Sequence, residues 1–306
     1  MAFNSLEYAK LMMTKLDERA VWAATTGWME ANAGQVIYHG GDEVKIPTIS
    51  TQGLADYDRD GGFVRGAISS KYETYKMTQD RGRTFMIDAM DVDETNFVVN
   101  STSVIGTFQK TQVVPEIDAY RYATLASVAE TAGHVEAVTV TADTAFAKLK
   151  EHLVALEEIV GVETPLVVTL SPTMMGLLEE NPKFQKLINV GDFSAGIVKT
   201  KLKQYNQAFF KVAPQARLVS KVKVLSGASG QEKGGWEKDT AAKEINWIIC
   251  PQNLPIAISK TDNLRIFEPS VNQQADAWKI DYRKYHDLWV LKQKENRLFV
   301  CTKAGA

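Results

Sequence analysis

Two cysteines in 306 residues, Cys250 and Cys301, exclude a disulfide framework and any multi-cysteine zinc site. So low a count suits a reducing compartment. No apolar run approaches the roughly 18–20 residues of a membrane span. Glu7, Lys10, Lys15, Asp17 and Glu18 interrupt the N-terminus, which lacks the apolar centre of a signal peptide. An excess of one charge is missing too. A formal charge of −2 supplies no electrostatic drive for wholesale nucleic-acid binding. There is no internal repeat and no low-complexity tail. A soluble intracellular product is expected, long enough for one large or two medium domains.

Signatures of chemistry are equally sparse. His39, His134, His152 and His286 show no metal-ligand spacing. His286-Asp287 could orient a base, yet no Gly-x-Ser-x-Gly or reactive-cysteine context accompanies it, and a hydrogen-bonded structural histidine is the simpler reading. The glycines at 227, 230, 234 and 235 fit neither a Walker nor a dinucleotide pattern, so residues 227–239 read as a hydrophilic loop. Asp56-Tyr-Asp58-Arg-Asp60-Gly61 matches the first half of a calcium loop, but Ala67 stands where the bidentate glutamate belongs. A solvated turn is the default there. Asp88, Asp91, Asp93 and Glu94 mark no general acid–base pair. No catalytic residue, cofactor site or metal site is expected.

What is present is charge in an unusual place. Between residues 56 and 94, fifteen of thirty-nine side chains are ionisable acids or bases of mixed sign. Tyr72, Thr74 and Lys76 oppose Glu73, Tyr75 and Met77 at strand spacing, and Phe85, Ile87 and Ala89 oppose Met86, Asp88 and Met90. Between them Asp80-Arg-Gly-Arg83 reads as a tight turn, with Gly82 suited to a left-handed position. Neither strand has a face apolar enough for a private core, and an isolated hairpin is marginal in water. Something outside it, most simply another copy of the chain, is required to hold it.

The rest alternates between helices and strands. Residues 4–32 have helical spacing, opened by an Asn4/Glu7 capping box and stopped by Gly34. Residues 43–50 alternate as a strand, with Pro47 marking an edge or an end. Pro115 with Glu116 and Asp118 opens an amphipathic helix ending near Gly133. A second helix covers 142–160, a buried-type strand 165–170, and Ser171-Pro172 caps a helix that Asn181-Pro182 interrupts. Strands are expected over 208–212, 217–224, 245–250, 256–259, 278–285 and 289–292. Without βαβ regularity the class is α+β.

Three blocks together resemble the major capsid proteins of tailed bacteriophages: the hairpin 71–95, the helix start 114–126, and 275–290, where Trp278, Tyr282, Tyr285 and Trp289 alternate with charge. The resemblance implies a capsid fold of the HK type. Its parts would be an N-terminal arm (1–35), an extended loop with a first peripheral strand (36–100, hairpin about 50–95), a peripheral domain with a spine helix (101–160), an axial domain (161–254) and returning peripheral strands (255–306). The glycine-rich loop would lie near the capsomer centre. It also implies a non-enzymatic structural role: self-assembly into pentamers and hexamers of an icosahedral virion shell, built in the host cytoplasm, enclosing double-stranded DNA without sequence-specific binding. A separate scaffolding protein and a portal are the further partners, with no membrane. Asp80, Arg81, Arg83 and Asp88 are the expected inter-subunit loop contacts. Lys71 and Lys76 lie where some relatives cross-link, but the matching asparagine and glutamate are not found, so a non-covalent shell is expected. A same-fold nanocompartment shell enclosing cargo enzymes is the nearest alternative, and a metal-dependent enzyme using Asp56, Asp58 and Asp60 the more distant one.

Overall fold

Leu166–Leu170 is buried at every position, and the architecture follows from how that strand is covered. The structure, a computed structural model, describes residues 23–35, 37, 38, 43–88, 90 and 101–304. The expected helix start at Asn4 and the carboxylates Asp91, Asp93 and Glu94 lie outside the described residues.

After a turn at residues 25 and 26, Gly27–Gln35 is a 3-10 helix rather than the last turns of the helix expected over 4–32. Strands β1 (Ile37–Tyr38), β2 (Glu43–Thr51) and β3 (Ile68–Lys76) then form one antiparallel sheet in that order, and β4 (Gln79–Asp88) leaves it. Among the described residues β1 pairs only with Val44 and Lys45 of β2, which leaves the outer edge at Pro47 without a described partner in that sheet, as suits a missing N–H.

A helix α1 (Ser101–Phe108) runs through a π turn, Gln109–Val113, directly into α2 (Val114–Ala132). Pro115 therefore does not begin the helix, as its position in the sequence suggests; it sits within a longer helical path. Proline cannot donate to the carbonyl one turn back and its ring crowds that carbonyl. The π turn widens the backbone at that point, and the Thr111 hydroxyl donates to Thr107 O at 2.8 Å. Gly133, at φ 74°, closes α2 in the left-handed conformation.

After β5 (Val135–Ala137), helix α3 (Ala142–Val160) opens on a Thr141/Thr144 capping box. Then come β6 (Leu166–Leu170), α4 (Pro172–Glu179) and α5 (Pro182–Leu187), the last two capped by Ser171 and Asn181 side chains. β7 (Asn189–Ala195), β8 (Val198–Tyr205) and β9 (Ala208–Val212) follow. The strand expected over 217–224 shrinks to β10 (Val222–Val224), paired with β11 (Trp236–Lys238). β12 (Ile245–Pro251), β13 (Ile256–Phe267), β14 (Ala277–Trp289) and β15 (Phe299–Thr302) complete the chain. β14 is one strand up to Trp289, and Lys292–Arg297 is a 3-10 helix rather than the expected strand end.

Seven strands make the main sheet, in the order β5-β15-β12-β6-β9-β8-β7. Val167 faces Tyr122, Leu125, Ala126 and Ala129 of α2 in one core. Leu166, Val168 and Leu170 face Phe146, Leu149, Leu153 and Leu156 of α3, with Leu178 and Phe184, in a second. Helices on both faces explain why the central strands are apolar throughout. A smaller sheet, β13-β14-β4, carries α1 against Phe85, Leu264, Ile280 and Tyr282.

Candidate functional site

β2 and β3 pair in unbroken register from Glu43↔Lys76 to Thr51↔Ile68, a ribbon about 30 Å long at ~3.3 Å per residue. Among the described residues, only its base is anchored. Val44 and Ile46 pack with Met77, Ile256, Ile258 and Trp289. Farther out the apolar side chains face solvent: Phe63 is 87% exposed and Ile68 77%, and Ile49, Leu54, Tyr57, Val64 and Tyr72 are exposed with them. A fully buried side chain of this size is worth about 1.5–3 kcal/mol, so this row is a large unused store of binding energy. The connection over 52–67 has its own order. Asp58 and Gly62 exchange backbone hydrogen bonds, the Tyr57 and Phe63 rings lie 4.8 Å apart, and Gln52 Oε1 accepts from Ala67 N at 3.0 Å. The Asp58 carboxylate folds over this turn, accepting from Asp60 N.

The ribbon differs from the hairpin read in the sequence. β3 does not pair with β4 across Asp80–Arg83; it pairs with β2, whereas β4 pairs along its length with β14, from Gln79↔His286 to Asp88↔Ala277. Gly82 occupies no left-handed turn. It lies within β4, where a Cβ would sit 3.0 Å from the Tyr282 carbonyl oxygen, so close strand approach is what selects glycine.

The four residues expected to contact neighbours are thus spread along β4, with Asp80, Arg81 and Arg83 at one end and Asp88 at the other. Arg81 donates to Glu116 on α2 at 2.7 Å and to the carbonyls of Leu225 and Gly235 at 2.9 and 3.0 Å. Arg83 donates to Glu232 O at 3.3 Å. Asp80 accepts from Arg283 Nε at 2.8 Å, which holds its carboxyl below the usual range. Asp88 accepts from Met90 N at 2.9 Å.

A buried polar knot gave no signal in the sequence. Asp118 on α2 is fully buried and accepts five hydrogen bonds: from the backbone N and hydroxyl of both Thr25 and Thr26, and from Arg217 Nη1 at 2.8 Å. One turn on, buried Arg121 donates to Thr26 O and to Glu30 at 2.7 Å. Together they pin the segment entering from the N-terminal side to α2. Nearby, Asp287 accepts from Thr78 N at 2.8 Å and from the Tyr120 hydroxyl at 2.8 Å. Burial, with Asp287 beside it, pushes the Tyr120 phenol up to about 12.

No family model matches the chain, and no curated protein matches it. Solved structures do. The capsid structure of the cyanophage P-SCSP1u is similar at TM-score 0.58 and 12% identity, over 88% of this chain and 85% of that one. The mature capsid of bacteriophage PhiM1 is similar at TM-score 0.56 and 12% identity, over 87% and 83%. The capsid of Staphylococcus phage Andhra is similar at TM-score 0.54 and 10% identity, over 93% and 84%. This chain has the tailed-phage major capsid fold.

Within this capsid fold the thiols and two of the histidines are enclosed. Burial pushes the Cys250 thiol up to about 12 and the Cys301 thiol to about 11, so neither is a thiolate at neutral pH. His286 is buried, and the carboxylate of Asp287 is turned to Thr78 and Tyr120. His152 accepts from Trp247 Nε1 at 3.0 Å and donates to Glu136 at 2.6 Å, which consumes both ring nitrogens. Among the described residues no three His, Cys, Asp or Glu side chains converge to hold a metal, and no helix is long and apolar enough to cross a membrane.

Proposed function

We propose that this chain is the major capsid protein of a tailed phage, a structural subunit whose copies form pentamers and hexamers of an icosahedral shell around double-stranded DNA. The observation that carries this reading is the β2–β3 ribbon. It has an ordered tip, a row of outward apolar side chains and, among the described residues, no support from its own subunit beyond its base. A neighbour's surface is the covering that such a ribbon needs, and the capsid fold supplies neighbours by symmetry.

On this reading the extended loop is 43–76, not 50–95, and β4 belongs with β13 and β14 to the peripheral part, under the helix α1–α2. Inter-subunit energy then comes chiefly from Ile49, Leu54, Phe63 and Ile68. The β4 charges act behind them, stiffening the subunit; exposed ion pairs such as Asp80–Arg283 are worth only about 0–1 kcal/mol. Weak contacts repeated around a closed lattice sum to a stable particle while single contacts remain correctable. Assembly takes place in the host cytoplasm, where a separate scaffolding protein guides a closure that the subunits can also reach alone, with a portal at one vertex, and the shell is non-covalent. DNA is enclosed without being read, which suits a net charge of −2.

Sedimentation velocity of the purified chain tests the reading. Megadalton particles are the expected result, and a single small oligomer at all concentrations would overturn it. Boiled particles should run as one band in SDS; a ladder of multimers would overturn the non-covalent part.

A further inference from the structure

Two surfaces on the main sheet, away from the ribbon, carry opposite charge. The first is the outward side of α3. Its inward stripe of Phe146, Leu149, Leu153 and Leu156 is committed to the core. At helical spacing on the other side stand Ala147, Glu151, Val154 and Glu158, all exposed, and they line a shallow groove. Over 142–163 five acids stand against two lysines. Glu151 pairs with Lys148 at 3.1 Å, whereas Glu158 makes no ion pair among the described residues.

The second surface is the β7–β8 hairpin, which forms one edge of the sheet. Lys199, Lys201 and Lys203 alternate along β8 and share one exposed face, with Val190 of β7 opposite Lys203. Over 182–203 five lysines stand against one acid, Asp192, which lies opposite Lys201. Lys203 is held by Glu179 of α4, but Lys199 and Lys201 make no ion pair among the described residues. Val162 beyond α3 is 68% exposed and Val190 69%, so each charged surface has apolar area left to bury.

One subunit keeps these surfaces apart. His152 ties the middle of α3 to Glu136 of β5 and Trp247 of β12, on the far side of β6 from β7–β8. Their lengths match: the 19 residues of α3 span about 28 Å and the eight of β8 about 26 Å. We propose that the outward face of α3 in one copy docks on the lysine face of β7–β8 in the next copy, a head-to-tail contact that closes into a ring. The proposal rests on reading the chain as a shell subunit, and it names a contact separate from the ribbon. Both halves of the complementary pair belong to the same chain, which makes a second copy the fitting partner. Like charges oppose the two-fold alternatives, α3 on α3 and β8 on β8, so the pattern selects a rotational arrangement over a symmetric pair.

Charge reversal with rescue tests the contact, by sedimentation velocity of the purified full chain in the wild-type and in a Phe63→Ser/Ile68→Ser background. The second background removes the ribbon's apolar contacts and isolates self-association through other surfaces. Lys199→Glu/Lys201→Glu and Glu151→Lys/Glu158→Lys should each weaken self-association about tenfold or more in both backgrounds, and the chain with all four reversals should return to within about twofold of its parent. All four positions are exposed, and melting temperature is the control for folding. Small oligomers that follow this pattern, with no large particles from the wild type, would support the contact and overturn the shell reading. Megadalton particles formed equally by every variant would overturn the contact and leave the shell reading standing. Weakening without recovery in the fourfold variant, or no self-association by any chain, would also overturn the contact.

Discussion

Arg81 on β4 and Glu116 on α2 are joined by a 2.7 Å ion pair, and the same guanidinium donates to two carbonyls of the glycine-rich loop. One side chain thus fastens a strand, a helix and a loop inside a single subunit. Arg81→Ala should cost about 1–3 kcal/mol, since it leaves a largely buried carboxylate and two carbonyls short of a donor. Arg83→Ala, whose bonds are long and exposed, should stay within about 0.5 kcal/mol of the parent. Urea unfolding of the unassembled subunit measures both.

Asp118→Ala should be far more damaging, about 3–5 kcal/mol, because it strands the Arg217 guanidinium and removes the acceptor for five donors. Its signature is local as well as global. Hydrogen exchange at the Thr25 and Thr26 amides should accelerate before the α3 amides do. Equal acceleration everywhere would deny that Asp118 pins this segment.

Acid should weaken the fold through His152. Burial holds its pKa below the usual value, with Glu136 opposing that shift. The folded state therefore favours the neutral ring, and the unfolded chain takes up a proton first as pH falls. Stability from this residue is complete above the ordinary histidine pKa of about 6.5 and drains away as pH drops below it. Protonation would also put a hydrogen on the nitrogen that accepts from Trp247. Buried His286 acts in the same direction. His152→Gln should flatten the stability profile below neutrality, measured as melting temperature against pH; an unchanged slope would exclude His152 as the source.

Leu54→Ser and Phe63→Ser should separate assembly from folding. Both side chains are exposed and outside the cores, so subunit stability should move by less than about 0.5 kcal/mol. Particle yield should nevertheless collapse, read as the ratio of particle to subunit on a sucrose gradient.

Local pattern carried much of this fold. α3 begins and ends where helical spacing puts it, and β6, β9 and β12 follow from apolar runs between turn residues. Pairing was another matter. Gly82 among charged neighbours imitates a hairpin turn, and the true partner of β4 lies about two hundred residues later in β14. Alternation shows that a strand exists without showing what it pairs with. β7 and β8 went unforeseen even though Val198, Thr200 and Leu202 alternate with lysines, because the charge hid the alternation. Asp118 read as a helix-dipole partner, and its real donors come from Thr25, Thr26 and Arg217, far apart in the chain. The expectation of a neighbour came from charge without a core; on the proposed reading the side chains that would meet it are the apolar ones farther out.

Negative-stain microscopy of the purified wild type beside a Phe63→Ser/Ile68→Ser variant tests the central claim most directly. Closed, uniform particles from the wild type and only small oligomers from an equally stable variant are predicted. Equal particles from both, or none from the wild type, would contradict the claim that the β2–β3 ribbon fastens one subunit to the next.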